Sequence, residues 1–222
     1  MVKNLARRSL IPVRSLPFFL LFLLGQLAFS AQHGVPVPFP NYSYPGRFES
    51  IRKIDFQNMT LHVWWKDRKP GFSFQLKDGE FSQTDDSGFY SAEFISVHYL
   101  DSAESESQRA LVIFYVLSGR GSSSRNHYAQ VFELRNGTLR IVQEIEWDSK
   151  VHIGNHAYAS FDPKRKELTV RTAHFLEGDA NCCISAVEVI AFRWNGNRLV
   201  QKSVRLELSE YGKREGKKLP PQ

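Results

Sequence analysis

From Phe48 to about Leu208 the chain repeats one texture, in which short runs rich in Val, Ile, Phe, Tyr and Trp are cut at regular intervals by turn chemistry. The punctuation is "KDGE" at 77–80, "RNGT" at 135–138, "DPKRK" at 162–166 and "WNGNR" at 194–198. Asn-Gly suits a two-residue hairpin turn because both central positions need positive φ, so "FELRNGTLRIV" and "FRWNGNRLV" predict hairpins. In "YAQVFELRNGTLRIVQEIEW" Val131 and Glu133 fall on one face and Phe132 and Leu134 on the other, the period of an extended strand. "ALVIFYVL" at 110–117 is apolar without alternation, which predicts a central strand buried on both faces. No stretch of twelve or more residues keeps a helical apolar stripe between caps, so little helix is expected. The pattern predicts an all-β fold, an antiparallel meander of about ten strands forming a sandwich, a barrel or a small propeller-like domain. The echo of "FELRNGTL" and "FRWNGNRL" is too loose to establish a blade repeat.

The first thirty residues follow a different rule. Lys3, Arg7, Arg8 and Arg14 precede an apolar run of about fourteen residues, and small residues at Ala28 and Ser30 follow where a signal peptidase reads. Residues 1–30 are expected to be a signal peptide, and the run is shorter than the roughly twenty residues a spanning helix needs. No transmembrane segment is expected after its removal, and the destination is periplasmic or extracellular. Residues 31–47 carry Pro36, Pro38, Pro40 and Pro45 and read as an extended arm. Residues 48–208 form the β domain, and 209–222, "SEYGKREGKKLPPQ", reads as a basic, solvated, disordered tail. The formal net charge of +6 falls to +2 once the four basic residues of the leader are gone. The tail holds a further surplus, so the body is near neutral and has no basic face to neutralise phosphates; nucleic acid is not expected as a partner.

The only two cysteines, Cys182 and Cys183, are adjacent in "GDANCCIS". Consecutive Cα atoms lie about 3.8 Å apart, inside the roughly 4.4–6.8 Å usual for a disulfide, so a bridge between them closes a strained eight-membered ring. In an oxidising compartment the expected state is this vicinal disulfide, with two buried thiols, metal binding or intermolecular pairing as the alternatives. The loop then braces the entry to the strand "ISAVEVIAFRW". The series "YLD", "ALVIF", "YAQVFELRNGTLRIV", "GDANCC" and "FRWNGNRLV" resembles a group of uncharacterised exported bacterial β proteins with a Gly-Asp-x-Cys-Cys loop, distantly similar to integrin-repeat (VCBS-like) modules. The resemblance covers about residues 50–205 and implies fold and export, with no reaction. Where such proteins follow "YxD" with an Asp- and Gly-rich loop resembling a calcium site, this chain has "YLDSAESESQ"; Asp101, Glu104 and Glu106 are acidic, but no glycine permits the sharp turn. Ile184 stands where the group carries proline.

Catalytic constellations are weak. His152 and His156 in "KVHIGNHAY" have the spacing of a helical zinc pair, but in an extended segment they lie about 13 Å apart. Only a turn at Gly154 brings them together, with His174, Asp179 or a cysteine completing a shell. Ser122, Ser123 and Ser124 near His127 read as a hairpin loop. Glu144, Glu146 and Asp148 alternate with Ile145 and Trp147, a pattern that paired glycosidase acids share with a solvated sheet face; the second reading is the simpler. Trp64 and Trp65 are adjacent, so in a strand one points outward, and beside Tyr42 or Tyr44 it can form a platform for stacking a sugar or peptide unless the arm covers both. The function expected is a non-enzymatic exported module that binds a partner or polymer at the cell envelope, without a cofactor, through Trp64, Trp65, Asp179, Cys182 and Cys183. The alternative is a secreted hydrolase or metal-dependent enzyme built on His152, His156 and His174 near the cysteine loop.

Overall fold

The structure, a computed structural model, describes residues 42–64, 72–85, 88–118, 124–150, 159–180 and 183–220, all within one compact unit spanning 33–222. The expected signal peptide, most of the Pro-rich arm, Trp65, His152, His156 and Cys182 lie outside the described residues. The strands are Tyr42–Ser43 (β1), Thr60–Val63 (β2), Phe72–Gln75 (β3), Glu80–Asp85 (β4), Gly88–Tyr99 (β5), Ser107–Ser118 (β6), Ser124–Arg135 (β7), Thr138–Lys150 (β8), Ala159–Asp162 (β9), Glu167–His174 (β10), Ala186–Trp194 (β11) and Leu199–Leu208 (β12). Two 3-10 turns, Ile51–Lys53 and Phe56–Asn58, precede β2, and a short α-helix, Glu210–Arg214 (α1), follows β12.

The fold is all-β and antiparallel, as the hydrophobic pattern predicts. A six-stranded sheet runs β1-β8-β7-β6-β5-β4, a four-stranded sheet β12-β11-β10-β9, and β2 and β3 form a separate pair. One of the sheets curls into a half-barrel. The six-stranded sheet is covered on both faces. On one, Val112, Phe114, Tyr128, Phe132 and Ile141 pack with Leu61, Val63 and Phe74 of the β2–β3 pair and with Phe56. On the other, Leu111, Ile113, Val131, Ile145 and Trp147 pack with Leu168, Val170, Ile190 and Phe192 of the four-stranded sheet. This double coverage is why "ALVIFYVL" carries no alternation: its odd and even positions face two different cores.

The turns follow their local chemistry, with one difference. Asp78 and Gly79 have φ of 53° and 86°, and Asn136 and Gly137 have 53° and 77°, the left-handed pairs a two-residue hairpin requires. "WNGNR" closes differently. There only Gly196 has positive φ, and the Asn195 side chain accepts hydrogen bonds from the Asn197 and Arg198 backbone N–H groups at 3.0 and 2.9 Å. An Asx turn therefore makes a four-residue loop in place of the expected two-residue one.

The arm does enter the sheet at its end: β1 pairs with β8, and Tyr44 N–H donates to Leu139 O at 2.8 Å. The stretch expected as a solvated tail differs more. Ser209 caps α1 by accepting from Gly212 N–H at 3.0 Å and donates its hydroxyl to Ile184 O at 2.6 Å. Gly212 is the reason the helix docks, because a Cβ there would stand 2.1 Å from Ser185 O.

Candidate functional site

A β-bulge creates the site. Phe132 pairs with Ile141 while Val131 pairs with Gln143, so Val142 is an extra residue in β8. Before it, Leu139 and Ile141 face the core shared with β2 and β3; beyond it the phase reverses. Ile145 and Trp147 then face the four-stranded sheet, and Glu144 and Glu146 turn onto the other face, opposite Gln130 and Tyr128. The expectation that these acids line a solvated sheet face is therefore corrected: Glu144 is only 7% exposed and Gln130 fully buried. Sequence alternation alone missed this, because one inserted residue exchanges the faces without changing the residue types. The one signal was the adjacent pair Ile141-Val142 interrupting the alternation.

Gln130 organises the pocket. Its Nε2 donates to Glu144 Oε2 at 2.6 Å and also to His62 O. Burial lifts the Glu144 carboxyl, hydrogen bonds from Gln130 and the Trp64 backbone N–H pull it partly back, and Glu146 lifts it again, leaving its pKa raised to about 8. Tyr128 Oη donates to Glu146 Oε1 at 3.2 Å. Burial, then the neighbouring Tyr42 and Glu144, hold the Tyr44 phenol well above its ordinary range. Burial pushes the His62 imidazole down, and its Nδ1 lies 2.6 Å from Ser73 Oγ.

Four rings surround this polar group. The Tyr42 ring lies 3.9 Å from that of His62, 5.0 Å from Tyr44 and 6.1 Å from Trp64, and His62 lies 6.2 Å from Trp64. Tyr42, Tyr44 and His62 line one wall of a cleft of about 430 Å³, and Asp55, Asn58 and Thr60 add polar groups to its lining. Among the described residues, five buried side-chain atoms make no hydrogen bond, and three of them, Tyr44 Oη, His62 Nε2 and Gln130 Oε1, belong to this one cluster. Orphan polar atoms at that density mark a place where a ligand group or ordered water completes the bonding.

The other expected residues distribute differently. The structure brings Trp64 beside Tyr42, one of the two tyrosines the sequence singled out as its stacking partners, and Tyr44 joins them through Tyr42 and His62. Asp179 is a brace: its carboxylate accepts from Leu176 N–H at 2.9 Å, Ser185 N–H at 2.8 Å and Ser185 Oγ at 2.5 Å, with Lys217 Nζ at 3.6 Å. Burial would raise this carboxyl, but these bonds and the ammonium outweigh it and hold it low. Cys183 is half-buried and its backbone N–H donates to Ala180 O at 2.9 Å. His174 ends β10, half-buried. His127 is buried, with its ring stacked 5.5 Å from that of Trp147, which makes it part of the packing against the four-stranded sheet. Asp101 pairs with Arg109 at 3.2 Å, and Arg109 also bonds Glu133 at 2.8 Å, so a guanidinium occupies the place considered for a cation. No group of three or more His, Cys, Asp or Glu side chains suited to a metal occurs among the described residues.

No family model matches the chain, and no match to it is found among curated proteins or solved structures. No helix among the described residues is long and apolar enough to cross a membrane.

Proposed function

We propose that this protein is an exported, non-enzymatic β module that binds a polysaccharide at the cell envelope through the cleft lined by Tyr42, Tyr44 and His62 and the Trp64 ring beside it. The observation that carries the reading is the coincidence of four clustered rings, an open cleft beside them and three unbonded buried polar atoms behind its wall. Sugar rings present apolar faces for stacking on aromatic side chains and hydroxyls for polar groups such as Asp55, Asn58 and Thr60. Export rests on the leader-like first thirty residues and on the resemblance to exported proteins with a Gly-Asp-x-Cys-Cys loop. Asp179 and Cys183 belong in this reading to the loop under α1, where Asp179 already spends its lone pairs on Leu176 and Ser185. The same commitment leaves the alternative enzyme around His174 without a favouring observation.

Co-sedimentation of the purified exported protein with peptidoglycan, chitin and cellulose tests the proposal. Retention on at least one polymer is expected, reduced about tenfold by Trp64→Ala and by Tyr42→Ala, in line with the loss of one stacked ring at a binding site. Equal retention of both variants, or no retention on any of the three, contradicts it.

A further inference from the structure

The cleft has two unlike ends. β1 and the residues after it run along β8 toward its hairpin turn, with Tyr42 opposite Ile141, Tyr44 N–H on Leu139 O at 2.8 Å and Phe48 N–H on Gly137 O at 2.9 Å. Tyr42 therefore stands at one end of this wall, next to His62 and Trp64, and Phe48 at the other. Phe48 shares the lining with Ile54 and Met59, and all three are half-buried side chains that rest on the core shared with β2 and β3. The polar side chains of the lining are already bonded. Lys53 Nζ donates to Glu49 at 2.7 Å, Asp55 accepts from Gln57 N–H at 3.1 Å and from Asn58 Nδ2 at 2.9 Å, and Asn58 Oδ1 accepts from Asp78 N–H at 2.8 Å. Thr60 Oγ1 donates to Gln75 Oε1 at 2.6 Å. The lone pairs these groups retain suit a sugar hydroxyl, but hydroxyls are common to all polysaccharides and select none. The apolar share of the lining is what an unsubstituted hexose leaves unmatched.

We propose that the cleft selects N-acetylated amino sugars, with a pyranose face stacked near Tyr42 and Trp64 and an acetamido methyl seated against Phe48, Ile54 and Met59. The inference rests on the saccharide reading and narrows it. An acetamido group brings the methyl that a hexose polymer of the same linkage lacks, and apolar side chains gain by removing that methyl from water. The group is uncharged, so it meets half-buried apolar surface without the desolvation cost of an ammonium or a carboxylate. Its N–H finds acceptors in the lining, where the Asp55 carboxylate and the Thr60 hydroxyl keep lone pairs. In an acetylated polymer every sugar carries the group, so the methyl at the Phe48 end and the ring at the Tyr42 end belong to the same sugar or to neighbouring ones.

The test compares chitotriose with cellotriose by calorimetric titration of the full exported protein. The two are β-1,4-linked trisaccharides that differ only in carrying an acetamido group or a hydroxyl at each C2. The expected result is binding of chitotriose at least about tenfold tighter, the lower end of what a hydrophobic pocket gains from one added apolar group. Met59→Gln and Ile54→Thr, each close in size to the residue it replaces, put a polar group at the apolar end and are expected to cut the ratio of the two affinities at least about threefold. Should one variant fail to fold, the other carries the readout. Equal affinities for the two trisaccharides overturn the inference while leaving the saccharide reading intact. A preference that persists in both variants overturns the placement of the methyl. Absence of binding by either trisaccharide also overturns the inference, and retention on the insoluble polymers then separates that failure from failure of the binding function.

Discussion

Glu144 is a residue whose environment and sequence context disagree. Its neighbours in "QEIEWD" describe an amphipathic strand with acids toward water, yet it is buried and bonded to Gln130 and the Trp64 backbone N–H. The sign of its effect on stability follows from its raised pKa of about 8. Between the ordinary carboxylate range and pH 8 the folded protein keeps a proton that the unfolded chain releases, so stability falls as pH rises through that window and the full penalty is present above it. Glu144→Gln cannot release that proton. The variant is expected to match the parent in melting temperature at pH 4 and to exceed it by about 3 °C or more at pH 8.5. A pH series of thermal unfolding on both proteins measures this, and parallel curves contradict the assignment. Glu133 and Asp179, held low against burial by their partners, respond in the opposite direction, but both are common to the two proteins and cancel in the difference. At this scale the sequence was legible where a residue's role is local. Asp78, Gly79, Asn136 and Gly137 announced their turns, whereas Asp179 looked like a ligand residue because its three hydrogen-bonding partners are set by the fold.

Among the elements, strands were readable and their registers were not. Apolar runs and turn residues predict β6, β7 and β8 almost as they stand. The bulge at Val142 decides which of the two cores receives each side chain of β8 beyond it, and alternation cannot reveal a break that leaves the next residues alternating still. The carboxy-terminal helix was missed for a related reason. Five residues have no helical stripe to detect, and what holds α1 is tertiary: the Ser209 bonds, the close approach of Gly212 to Ser185 O, and Lys217 reaching Glu177 O at 3.2 Å. Gly212→Ala is therefore expected to undock the helix despite improving local helix propensity. The result should be a loss of about 1–3 kcal/mol and faster amide exchange at Ser185 and Lys217. Unchanged or increased stability would show that α1 does not clamp the loop preceding β11.

For the molecule as a whole, the six-stranded sheet divides labour between its faces. The face toward the four-stranded sheet is closed by packing, with Trp147 and Phe192 at 1% and 0% exposure. The face toward β2 and β3 is filled at one end by Phe56, Phe114 and Phe132 and at the other left polar, where β1, β2, β7 and β8 meet. That composition explains why the all-β class was visible in the hydrophobic pattern while the site was only half visible. Trp64 and Tyr42 could be named from their chemistry, but His62, Gln130 and Glu144 join them only through long-range pairing of strands distant in the chain. The central claim is that ligand meets the molecule at this junction, and backbone amide chemical-shift mapping tests it most directly. Titrating labelled protein with a soluble fragment of the polymer it sediments with should move the amides of Tyr42, Tyr44, His62, Trp64, Gln130 and Glu144 together. Shifts gathered instead around the exposed Val200 and Val204 of β12, with those six unmoved, would contradict it.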